Sequence, residues 1–153
     1  PASLPRAAVE AHIALHLSEA AVAAWIADPE RIVLVGAAAD APETLLGYAM
    51  YETAAAPEAP VTERLGDVPA GHLSKLYVLA EGRGTGLAEA LVHDGVERLR
   101  RLGFRHVWLG TNAQNARANR FYERLGFETV GARQFVVGGE RVEDDWVRLL
   151  TVA

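Results

Sequence analysis

The sequence predicts an α/β or α+β fold: a sheet with helices packed on its faces. Three observations predict it. Apolar strands pair as hairpins in both halves of the chain; an apolar strand over 73–79 runs through a glycine-rich turn straight into an amphipathic helix; and a second strand-to-helix unit follows over 104–125. Strands alternating with one-sided helices are buried most simply as a sheet with helices on its faces. At 153 residues, half of them apolar, the chain matches one domain, 1–153, with a sizeable core.

The elements follow in order. Residues 1–27 read as helical, with Ser3 and Ser18 as N-caps and Val9, Ile13, Leu17, Val22 and Trp25/Ile26 at helical spacing, until Asp28-Pro29 ends the run. Ile32 to Val35 is a short strand, Asp40-Ala41-Pro42 a turn, and Leu45 to Glu52 the antiparallel partner. Ala54 to Ala70, rich in Ala, Pro and charge, reads as a loop before a strand from Leu73 to Leu79. Leu87, Leu91, Val92, Val96, Leu99 and Leu102 then mark one face of a helix that Gly103 closes. Phe104 to Thr111 is a buried strand, Asn115 to Leu125 a short helix stopped by Gly126, and Phe127 to Leu150 a hairpin turning at Gly138-Gly139.

Composition excludes several classes of function. The chain has no cysteine, which removes disulfides, thiolate metal sites and cysteine nucleophiles and favours a cytoplasmic protein. No metal site is expected. No apolar run approaches the roughly 18 residues of a membrane span, so no membrane association is expected either. The net charge of −5 is unevenly spread: residues 1–82 carry four basic and eleven acidic side chains, residues 83–153 eleven and nine. With no basic cluster interleaved with aromatics before Arg98, nucleic acid is not an expected partner.

The turn Arg83-Gly84-Thr85-Gly86-Leu87-Ala88 carries the first chemical signal. Glycines let the backbone approach an anion closely, and the free N–H groups and dipole of the following helix favour negative charge, which suits a diphosphate. Alone, such a turn is equally a tight connection. A Walker loop needs Gly-Lys-Ser/Thr where this chain has Gly86-Leu87-Ala88, and a dinucleotide fold needs three spaced glycines in an early βαβ unit. Neither is met.

About thirty residues on stands Asn115-Ala116-Arg117-Ala118-Asn119-Arg120-Phe121-Tyr122-Glu123-Arg124-Leu125-Gly126-Phe127. Together the two segments resemble the GCN5-related N-acetyltransferase (GNAT) superfamily. Its pattern Arg/Gln-x-x-Gly-x-Gly/Ala is met by Arg83, Gly86 and Ala88, and its Asn-x-x-Ala-x-x-x-Tyr followed by Gly-Phe is met by Asn115, Ala118, Tyr122, Gly126 and Phe127. The resemblance covers about Ala70 to the C-terminus, and the hairpin over 32–52 fits the family's second and third strands.

The resemblance implies a mixed, mostly antiparallel, splayed sheet flanked by helices, and an enzyme that moves an acetyl group from acetyl-CoA to a primary amine by direct attack through a tetrahedral intermediate. The cosubstrate would lie between the strand at 73–79 and that at 104–111. Backbone groups of Leu76, Tyr77 and Val78 would pair with pantetheine and polarise the thioester carbonyl. The Arg83 side of the turn and the amides of Gly84, Thr85, Gly86, Leu87 and Ala88 would hold the diphosphate. Asn115 would contact the pantetheine arm, cap the helix, or both, and Tyr122 would protonate the departing thiolate. Arg117, Arg120 and Arg124 serve either the CoA 3′-phosphate or a solvated helix face.

Two departures from the family pattern matter. Members with a Glu-Leu-x-x-Leu-Tyr-Val strand have glutamate where this chain has His72. An amine with pKa of about 10.4 must lose a proton before attack, and an imidazole with a reference pKa near 6.5 can take it directly or through water. Glu52 is the alternative base. The family also opens with a strand, whereas residues 1–27 read as helix, so the first edge strand is expected to be missing and the exposed edge covered by helix or by a second subunit in a homodimer. A loose similarity to the bacterial spermidine/spermine acetyltransferase branch, with Glu52, Glu58, Glu63 and Asp67 in the acidic half, makes a polyamine or another small amine the expected acceptor. A catalytically silent CoA-binding module and a protein or peptide N-acetyltransferase stand as alternatives.

Overall fold

The computed structural model describes residues 18–137 and 139–153. In chain order these form α1 (Glu19–Ala27), β1 (Arg31–Ala38), β2 (Ala41–Glu52), α2 (Ala59–Leu65), β3 (Gly71–Val78), a 3-10 turn (Ala80–Gly82), α3 (Leu87–Arg101), β4 (His106–Asn112), α4 (Ala116–Arg124), β5 (Glu128–Val137) and β6 (Glu140–Thr151). The strands make one six-stranded sheet in the order β1-β2-β3-β4-β6-β5. Every neighbouring pair is antiparallel except β3 and β4, which run parallel. Among the described residues no helix is long and apolar enough to cross a membrane.

Side-chain alternation divides the core between the two sheet faces. Val107 and Leu109 of β4 pack with Leu91, Val92 and Leu99 of α3 and with Phe121 and Leu125 of α4. Trp108, between them in sequence, points the other way and packs with Val61 of α2 and with Val147 and Leu149 of β6. Helix α3 comes very near the sheet because position 95 is glycine: a Cβ there would overlap the Tyr51 ring, whose hydroxyl donates to the carbonyl of Leu91 at 3.0 Å. Helix α4 is tied to β6 by Arg148, only 2% exposed, whose Nη2 donates to Asn119 Oδ1 and Glu123 Oε1, each at 3.0 Å.

Several boundaries differ from the sequence reading. Ala54 to Ala70 is not all loop, since Ala59–Leu65 is helix α2, with Pro60 in the first turn and Val61 buried. Proline costs nothing in a first turn, where its missing N–H has no partner to lose, so its presence there misreads as a breaker. Ala41 and Pro42 belong to β2, not to the turn; Pro42 sits near the start of the strand, a position proline tolerates. Strand β4 begins at His106, two residues after Phe104. Ser18 caps α1, its side chain accepting from the Ala21 N–H at 3.1 Å. The proposed Ser3 cap, the helical spacing over Val9 to Leu17 and the question of an earlier edge strand lie outside the described residues, as does Gly138.

Candidate active site

Strands β3 and β4 pair only at Gly71↔Val107 and His72↔Trp108 and then diverge. A bulge contributes: the β2–β3 register runs from Met50↔Lys75 to Tyr51↔Leu73 and leaves Ser74 unpaired. Such an extra residue bends the strand and sharpens its twist. The sheet therefore splits into a V, and the backbone of β3 facing β4 is left open past His72.

A cavity of about 650 Å³ opens from the split on the α3/α4 side, lined by Leu76, Tyr77, Val78, Arg83, Gly84, Gly86, Leu87, Ala88, Asn115 and Tyr122, together with Arg117, Arg120 and Arg124. A second cavity of about 400 Å³ shares Leu76, Tyr77, Asn115 and Tyr122 with it and is completed by Tyr48, Ser74, Lys75, Gly110, Thr111 and Asn112. One cleft thus reaches both faces of the sheet, and Tyr122 lines both parts. All the positions named from the sequence for the cosubstrate border this cleft except Thr85, whose hydroxyl is turned onto the Gly82 carbonyl at 2.5 Å and tightens the turn.

The turn has the conformation its glycines permit. Gly84 and Gly86 have φ of 74° and 83°, and a Cβ at either would meet no protein atom within 4 Å, so the space above the turn is open to a ligand. Gly86 is the N-cap of α3, whose first amides have no partner within the helix. The Leu87 side chain lies against Gly36 of β1, where a Cβ would overlap it; this residue anchors the turn, leaving its backbone for the cleft. Asn115 caps α4, its Oδ1 accepting from the Ala118 N–H at 3.1 Å, and also lines the cleft.

Tyr122 packs edge-on against Phe121 and Phe127, with ring centroids at 5.2 and 5.6 Å. Burial pushes its phenol up to about 12, so the hydroxyl holds its proton throughout the physiological range. That is the state required of a proton donor.

His72 and Glu52 were alternatives in the sequence; in the structure they are partners. Arg31, Glu52, His72 and Trp108 are successive register partners across β1 to β4. Arg31 Nη2 lies 3.5 Å from Glu52 Oε1, and Glu52 Oε2 lies 2.8 Å from His72 Nδ1. The imidazole stacks on Trp108 at 3.8 Å between centroids and 9° between planes. Burial holds His72 below its ordinary pKa, against the opposing pull of the Glu52 hydrogen bond. The ring is accordingly neutral at pH 7, with Nδ1 directed to the carboxylate and Nε2 remaining to accept a proton. This pair stands at the closed end of the V, just beyond the residues that line the cavities.

Of the acidic residues linked in sequence to a polyamine, Glu52 is the partner of His72, and none of the four lines the smaller cavity. Glu58 pairs with Arg133 at 2.6 Å, and Arg133 also pairs with Asp145 at 2.9 Å. Glu63 and Asp67 are exposed on and after α2. No carboxylate is among the described residues lining the smaller cavity. The sequence reading missed Lys75, Tyr48, Thr111 and Asn112 as cleft residues. Lys75 is the chain's sole lysine, and that was the available signal.

The model of the acetyltransferase (GNAT) family matches residues 5–127. An uncharacterised N-acetyltransferase of Mycobacterium tuberculosis is 36% identical over 151 residues, covering 96% of this chain and 86% of that protein. A mycothiol acetyltransferase of Parafrankia is 40% identical over 91 residues, covering 54% of this chain but only 28% of that protein. Among solved structures, a GNAT-family acetyltransferase assigned to Desulfovibrio desulfuricans superposes with a TM-score of 0.68 at 24% identity, covering 94% of this chain and 82% of that one. The PaiA N-acetyltransferase of Thermoplasma acidophilum, in complex with coenzyme A, gives 0.68 at 18% identity, with coverages of 96% and 79%. With a family model spanning most of its length, this V-split sheet and the glycine turn at its mouth, the chain belongs to the acetyltransferase (GNAT) family.

Proposed function

We propose that this chain transfers the acetyl group of acetyl-CoA to the primary amine of a small molecule, with the cosubstrate entering the V from the α3/α4 side and the amine from the opposite face. The observation that carries the reading is that Tyr122 lines both parts of a cleft running through the sheet. Its phenol is therefore available to a reaction between ligands held on the two faces.

The residues fit the cosubstrate. The open turn at Gly84 and Gly86 takes the diphosphate, the unpaired edge of β3 at Leu76 to Val78 takes the pantetheine amides, and Asn115 faces the same arm. Acetyl-CoA supplies an acetyl thioester. The amine nitrogen forms a bond to its carbonyl carbon to give a tetrahedral intermediate, whose collapse breaks the bond to sulfur. The proton lost by nitrogen passes through water to His72 Nε2, which Glu52 orients through Nδ1, as in other base–carboxylate pairs. The sulfur takes a proton from Tyr122, the second proton leaving nitrogen after attack restores the phenol, and main-chain N–H groups of β3 stabilise the charge on the carbonyl oxygen.

The test is titration of free thiol released from acetyl-CoA across a panel of amines: amino acids, amino alcohols, diamines, aminoglycosides and short peptides. Amine-dependent release from at least one small amine is expected. Binding of CoA with no release on any of them would mean that the chain is a CoA-dependent sensor and not an enzyme, and release confined to peptides would move it to the protein-directed class.

A further inference from the structure

Among the residues that line the smaller cavity one carries a formal charge, Lys75, and it is positive. Tyr48, Ser74, Lys75, Tyr77, Gly110, Thr111 and Asn112 surround the smaller cavity where it leaves the shared part. The bulge at Ser74 restores Lys75 to the sheet face of His72, since Met50, its register partner, alternates with Tyr51, which faces α3. Tyr48 and Tyr77 form the next register pair on that face, their rings 6.5 Å apart.

Two other cations of this face among the described residues are paired with carboxylates: Arg31 with Asp28 and Glu52, Arg133 with Glu58 and Asp145. Lys75 has no carboxylate within 4 Å among the described residues; its ammonium lies 5.4 Å over the Trp25 ring. Cation–π contact holds the ammonium in place without cancelling its charge. A half-buried cation with no carboxylate partner, on a residue that lines the cavity next in register to two tyrosines, attracts an anion and repels a second ammonium.

We propose that the acceptor bears an anionic group, a carboxylate or a phosphate, a few atoms from its reacting amine, and that Lys75 is the residue that selects it. This rests on the acetyltransferase reading above, and it places diamines and polyamines among the disfavoured acceptors. With the anion held by Lys75, the amine is directed back along β3 toward the His72 end of the split, one same-face position away. Lys75 binds substrate here and takes no part in proton transfer.

The experiment compares matched amines that differ only in the anion: amino acids against their methyl esters, and aminoalkyl phosphates against the parent amino alcohols. The readout is the ratio of kcat/KM within each pair, from which general damage to fold or cosubstrate binding cancels; comparing that ratio between variants also cancels the basicity of the amines. In the wild-type protein the anionic member of one pair is expected to be favoured by about 10- to 100-fold, the range of a charge-assisted hydrogen bond. Whether the carboxylate or the phosphate pair shows it identifies the group. Lys75→Met should bring the ratio near one, Lys75→Glu should invert it and raise relative activity on diamines, and Lys75→Arg should retain most of it. A wild-type ratio at or below one in both pairs, or a ratio unchanged in Lys75→Met, overturns the proposal. If no amine releases CoA, the acetyltransferase reading fails instead, and the same pairs titrated against the CoA-loaded protein by tryptophan fluorescence decide the role of Lys75. Tighter binding of the anionic member that disappears in Lys75→Met supports it, and equal binding overturns it.

Discussion

Replacing Tyr122 with phenylalanine removes a single oxygen and leaves the packing in place. The ring keeps its edge-on contacts with Phe121 and Phe127, and no described residue is hydrogen-bonded to the hydroxyl, so folding stability should change by no more than about 0.5 kcal/mol. For a chain of this length that is a melting shift of roughly 2 °C or less. Catalysis should respond far more. With the phenol raised to about 12 by burial, about one molecule in ten thousand is ionised at pH 8, so the proton donor is fully loaded wherever the enzyme can be assayed. Its loss should lower kcat by about 10²- to 10⁴-fold, or ~2.7–5.4 kcal/mol of barrier, the range of a positioned general acid. The wild-type rate should also show no alkaline fall below about pH 11 attributable to this group. The assay is thiol release at saturating acetyl-CoA and amine, with a melting curve beside it. A kcat within about threefold of wild type, in a variant that melts normally, would refute the assignment of Tyr122 as the acid.

Two further outcomes follow from the site and its support. His72 acts as base only when neutral and its pKa lies below 6.5, so kcat/KM should fall on the acid side with an inflection below that value. Glu52→Gln removes the partner that raises the pKa and should shift the inflection to still lower pH, while His72→Ala should abolish it; a limb unmoved by either would assign the proton to another acceptor. Gly95→Ala drives a methyl group into the Tyr51 ring and should cost about 2–4 kcal/mol, a fall of roughly 5–15 °C in melting temperature; a fall under 2 °C would mean that α3 yields easily.

That the positions expected to hold the cosubstrate lie together was legible in the sequence because each group of them is local. Arg83 to Ala88 and Asn115 to Tyr122 are each one turn or one helix start, so chain order alone places their groups, and the structure lines one cleft with nearly all of them. The acceptor side is made by long-range register. Glu52 and His72 are twenty residues apart and meet only because β2 and β3 pair as they do; two candidates for one role became two members of one pair. Lys75 was illegible for a sharper reason. Strict alternation puts positions 72 and 75 on opposite faces, and only the extra residue at Ser74 brings them to the same one. Helix α2 was lost to its own composition, since Pro and Ala-rich sequence reads as loop until tertiary contact decides, here Pro60 against Gly131 and Val61 in the core.

That same bulge links the fold to the chemistry. A β-strand inside a sheet spends its N–H and C=O groups on two neighbours, and buried groups left unpaired are costly. Strand β3 pairs with β2 from His72 through Val78 except at Ser74 but engages β4 at only two positions, so one edge of an interior strand stays open past His72. A ligand with an extended amide backbone can complete that edge as a strand would. The departure that frees the edge also turns Lys75 toward the face of His72. On the proposed reading, one inserted residue both opens a slot for the donor and puts Lys75 on the acceptor face. Deleting Ser74 should remove both functions together, whereas Lys75→Met should remove only the second.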